Sequence, residues 1–88
     1  MKINMKIKKK FFYDDIELKI IERDEPYMNG KEPMQMTRVM APNGGTLPLQ
    51  IQHRQTLKSI VEDSIKLLNS FKANGANVTD ELTKEINH

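Results

Sequence analysis

Catalysis needs nucleophiles, acid–base groups or metal ligands at workable spacings, and these 88 residues supply few. Cysteine is absent, which excludes thiol nucleophiles, disulfides and thiolate zinc sites. His53 and His88 are the only histidines, and one of them is the last residue. No paired-imidazole or His-Glu-x-x-His metal site can be written from them. Ser59, Ser64 and Ser70 fall within one helical stretch, and none sits on a Gly-x-Ser-x-Gly turn. Gly44-Gly45 is not followed by Lys-Ser or Lys-Thr, so it reads as turn chemistry and not as a phosphate loop. Asp14-Asp15 and the cluster Glu22, Asp24, Glu25 lack the alternating spacing and glycine of a calcium loop. The expectation is a non-enzymatic chain with no cofactor and no metal.

Binding residues are better represented. Residues 1–10 carry five lysines and no acid, whereas residues 11–35 carry seven acids against Lys19, Arg23 and Lys31. Lys6, Lys8, Lys10 and Phe12 alternate, which would place them on one strand face able to track phosphates and stack a base, with Arg54 nearby. The net charge of +2 is small for a nucleic-acid footprint, and Glu17 and Glu22 should lie close to these lysines. Nucleic-acid binding is therefore the second choice. Protein binding is the first. Its candidate residues are Tyr27, Met28, Asn29 and Lys31 in the loop 24–33, together with Leu82 and Ile86 near the C-terminus. An edge strand around Pro48 or Met34–Met40 adds a surface that could accept another strand.

The elements that must position these residues follow from periodicity. Thr56–Phe71 places Leu57, Ile60, Val61, Ile65, Leu68 and Phe71 on one helical stripe. Thr56 is a suitable N-cap and Gly75 a suitable left-handed stop. Upstream, residues 2–13 and 16–23 alternate as strands around a two-residue Asp14-Asp15 turn, with Tyr13 facing Ile16 and Phe11 facing Leu18. Residues 34–41 read as a third strand. Its Met34, Met36 and Met40 share a face with Arg38 and are assigned to the core beneath the helix. Residues 46–52 read as a fourth strand, at an edge because Pro48 lacks a backbone donor. A short second helix is expected over 79–87, capped by Thr79 and burying Leu82 and Ile86. The expected fold class is α+β: a four-stranded antiparallel meander, one long helix on one face, and a short C-terminal helix, in a single domain of residues 1–88.

A chain this short builds one thin core, which a homodimer would reinforce. No run is long and apolar enough to span a bilayer, and the basic N-terminal segment alternates where an export signal would be continuously apolar. A cytoplasmic location is expected. Lysine, isoleucine and asparagine are abundant and have A/T-rich codons. In size and composition the chain is similar to the short accessory proteins of phages and mobile elements. That likeness implies binding to a host or defence protein and steric inhibition or modulation of it.

Overall fold

The computed structural model describes residues 5–26 and 33–84. In chain order these form β1 (Met5–Tyr13), β2 (Ile16–Glu25), β3 (Met34–Met40), α1 (Leu57–Ala73) and α2 (Val78–Thr83). The strands make one antiparallel sheet in the order β1-β2-β3, and α1 lies against one of its faces. The fold is α+β.

The β1–β2 hairpin has the expected register, with Tyr13 opposite Ile16, Phe11 opposite Leu18 and Lys9 opposite Ile20. Asp14 takes the positive φ, 53°, that so tight a turn demands. Phe11, Tyr13, Ile16, Leu18, Ile20 and Val39 point to the helix side and form the core with Ile60, Leu68, Leu47 and Val78. Along α1 the fully buried positions are Ile60, Ser64 and Leu68, four residues apart, while Leu57 and Phe71 at the ends of the stripe are partly exposed. Ser64 tolerates this place because its hydroxyl donates to the Ile60 carbonyl at 2.8 Å.

Both ends of α1 are fixed by local chemistry. The Thr56 hydroxyl accepts from the Ser59 amide at 3.1 Å. At the other end, the Ala76 amide donates to the Phe71 carbonyl and the Gly75 amide to the Lys72 carbonyl, at 3.0 and 3.1 Å, with Gly75 at φ 88°. That pattern is a Schellman stop, which glycine adopts without strain. The Tyr13 hydroxyl then ties β1 to α1 by donating to Asn69 Oδ1 at 2.6 Å.

The expected fourth strand is absent. Residues 46–52 meet the sheet in one bridge, Met40 with Thr46, closed by Leu47 N–H to the Val39 carbonyl at 2.9 Å and Ala41 N–H to the Gly45 carbonyl at 2.8 Å. The chain then leaves the ladder because the Leu49 amide turns back onto the Leu47 carbonyl at 2.8 Å. A bond spanning two residues is a γ-turn, and Pro48 at its centre has the fixed φ that the inverse form needs. The three apolar residues of the segment still reach the core, Leu47 buried and Leu49 and Ile51 packed against it. The segment therefore packs on the core without joining the sheet as a strand.

The second helix also differs from expectation. It starts at Val78, and the side chain of Asn77, not Thr79, caps it by accepting from the Asp80 amide at 3.1 Å. The helix docks through buried Val78, and the Asn43 amide and side chain donate to the carbonyls of Leu82 and Glu81 at 3.2 and 2.9 Å. Among the described residues, no helix is long and apolar enough to cross a membrane.

Candidate functional site

A bulge in β1 decides which residues share a surface. The pairing passes from Ile7–Ile21 to Lys9–Ile20, leaving Lys8 as an extra residue. One inserted residue reverses the facing of every side chain beyond it. Met5 and Ile7 therefore point away from the helix, although Phe11 and Tyr13, an even number of residues further on, point toward it. The same slip breaks up the basic stripe. Lys6 lies opposite Glu22 on the helix side, and Lys8 pairs with Glu22 at 3.6 Å. Lys10 and Phe12 lie on the other face, opposite Lys19 and Glu17. Arg54 sits in the turn before α1, in the helix layer. The four strand residues expected together are thus divided between two surfaces.

Met34, Met36 and Met40 are also on the face away from the helix. Val39 faces the core, so its neighbours in the alternation, Met40 and Arg38, with Met36 and Met34 beyond, face the opposite side. They are not core residues beneath the helix. The helices and residues 47–52 pack on the other face, so among the described residues this open face has no second layer. It exposes Phe12 at 62 %, Met5 at 49 %, Met34 at 44 % and Ile7 at 43 %. Ile21 lies at its centre between Ile7 and Arg38. It is fully buried.

Two charge features lie on this open face. At one end, Glu25 accepts from Arg38 Nη2 at 2.9 Å and Arg38 Nε at 3.1 Å, and from Arg23 Nε at 2.9 Å. The bonds from Arg38, then from Arg23, lower the Glu25 carboxyl to about pKa 2, and the Arg38 guanidinium is raised in turn. One carboxylate between two guanidiniums leaves a positive excess. At the other end, Lys10 and Lys19 are direct cross-strand partners beside exposed Phe12. Like charges placed directly opposite each other are destabilising. Among the described residues the face carries Lys10, Lys19, Arg23 and Arg38 against Glu17 and Glu25.

Of the residues expected to contact a protein, Tyr27, Met28, Asn29, Lys31 and Ile86 lie outside the described residues. Leu82 is half-buried and packs against the core. The open face was missed from the sequence because Lys8-Lys9-Lys10 gives no apolar marker of register, so the bulge left no trace in the pattern. Among the described residues, no three His, Asp or Glu side chains gather as a metal site. No protein-family model, curated protein or solved structure matches the chain.

Proposed function

We propose that the chain is a non-catalytic protein-binding domain whose open sheet face docks on a partner protein with an apolar centre and acidic surroundings. The observation that carries this reading is the like-charged Lys10–Lys19 pair set between exposed Phe12 and Ile7. Such a pair costs stability in the free chain and gains it when a carboxylate is placed over it. Methionine and isoleucine around it offer adaptable apolar contact, and Phe12 is the aromatic anchor that interfaces favour. Given the likeness in size and composition to phage and mobile-element accessory proteins, the partner is a cytoplasmic host or defence protein. Docking inhibits or modulates it by covering its working surface.

The test is position-specific photo-crosslinking in cells that make the chain, with the reactive group at Phe12, at Met36, or at Lys58 on α1 as a control. The two sheet positions should trap the same protein, and the Lys58 position should not. Equal labelling from all three positions, or none from the sheet face, would sink the proposal.

Nucleic-acid binding is kept as a second reading because Lys10, Lys19 and Phe12 do share a face. Glu17 opposite Phe12, and the diversion of Lys6 and Lys8 to Glu22, count against it. Tight binding to labelled single-stranded DNA or RNA that weakens steeply between ~50 and ~200 mM salt would favour it.

A further inference from the structure

The two edges of the sheet are built differently. The outer edge of β1 carries Lys6, Lys8, Lys9 and Lys10 and is bulged at Lys8, devices that stop another strand from pairing. The edge of β3 has neither. Its register with β2 is unbroken from Met40 to Met34, and Met34–Met40 contains no lysine or proline. Val39 offers its carbonyl outward to Leu47, so two and four residues earlier Thr37 and Gln35 also direct their amides and carbonyls outward. The γ-turn at Pro48 withholds the Leu49 amide that would have met Thr37. Among the described residues, nothing on the backbone pairs with these outward groups of Thr37 and Gln35. A groove of about 360 Å³ runs beside them, with Leu49 and Ile51 in its wall and Arg38 at its open-face side.

We infer that the Gln35–Thr37 edge accepts one antiparallel strand from a partner protein, an extended segment alternating apolar and acidic residues. This rests on the protein-binding reading above and names the form the ligand takes. The alternation follows from the two sides of the groove. Residues opposite Thr37 face the helix side, where Leu49 and Ile51 suit apolar side chains. Residues between them face Arg38, whose cluster with Arg23 and Glu25 has a net positive charge that an acid complements. A second copy fits less well. Two β3 edges paired antiparallel about a twofold axis would bring both 49–53 segments into one groove and set two positive clusters close together.

The probe is a capped seven-residue peptide of alternating valine and glutamate, titrated into the full chain while the backbone amides are followed by NMR. Binding should shift the amides of Gln35 and Thr37 and slow their exchange with solvent. A valine–lysine peptide should bind about tenfold more weakly, the loss of roughly one charge-assisted contact. Antiparallel pairing makes a sharper demand. The residue opposite Thr37 exchanges both backbone bonds with it and shares its face. N-methylation of the valines should therefore abolish binding, and N-methylation of the glutamates should leave it intact. Thr37→Pro removes the edge donor without removing a β2 bond and should also abolish binding. If that variant unfolds, the methylated peptides on the unaltered chain still decide. Absence of binding, equal effects of the two methylation patterns, or shifts that spare Gln35 and Thr37 would overturn the inference. Crosslinking from Phe12 would survive that failure, so the two proposals can fall separately.

Discussion

Glu25 holds two arginines in place, and its low pKa makes that role visible as a pH dependence. In the unfolded chain the carboxyl titrates near its ordinary value of 4.5, and in the folded chain at about 2. Between those values the unfolded state binds more protons. The contribution to stability is therefore complete above about pH 4.5 and is lost as pH falls toward 2. Solvent around a surface cluster screens it, so the amount is on the order of 1 kcal/mol. Urea unfolding of the native chain and of Glu25→Gln should differ by about that much at pH 7 and converge near pH 2. A difference that persists unchanged in acid would refute the assignment. Ser64 makes the opposite prediction. Its hydroxyl satisfies itself on the Ile60 carbonyl, which already belongs to the helix ladder. Ser64→Ala should therefore change stability by less than about 1 kcal/mol. Ser64→Leu should cost roughly 1–3 kcal/mol through overpacking, because Ser64 is fully buried. Denaturation midpoints of the two variants test both figures.

At the scale of elements, most of the parts legible in the sequence were set by local chemistry, although the cap of α2 fell on Asn77 and not on Thr79. Asp14-Asp15, the Thr56 cap and the Gly75 stop each act within a few residues, and each stands where its chemistry put it. The parts that were not legible depend on competition between segments. Residues 46–52 have the alternation of a strand, and Leu47, Leu49 and Ile51 do reach the core, but pairing fails because Pro48 makes an internal turn cheaper than a ladder bond. The bulge at Lys8 was hidden for a different reason. A strand of three lysines fits either register, so packing of Phe11 and Tyr13 beneath the helix and of Ile7 over Ile21 chose it. The Pro48 account can be tested directly. In Pro48→Val the γ-turn loses its preset φ, and the Leu49 amide should turn to the Thr37 carbonyl. Hydrogen exchange at Leu49 should slow, and the valine–glutamate peptide should bind more weakly as the chain fills its own edge. Unchanged exchange at Leu49 would mean that the turn is held by the packing of Leu49 and Ile51, not by the proline.

For the whole molecule, the open face opposes stability and binding, and one substitution separates them. Lys10 and Lys19 repel each other across β1 and β2, and the core on the far side of the sheet must bear that cost. Lys10→Glu turns the repulsion into an attraction, so the free protein should become more stable by roughly 0.2–1 kcal/mol. The gain should shrink as salt rises, because exposed charges are screened. The same change removes one of the cations offered to an acidic partner and adds a charge of the wrong sign. Capture of the partner by the Phe12 crosslinker should then fall, although the fold is firmer. A surface lysine that served only solubility would show neither effect, and a residue needed for folding would show a loss in both. Melting temperatures at low and high salt, measured beside crosslinking yield, distinguish these cases. Stabilisation with undiminished capture would place the docking contact elsewhere on the face. Destabilisation would mean that Lys10 is already neutralised within the chain, and the physical ground for an acidic partner would be gone.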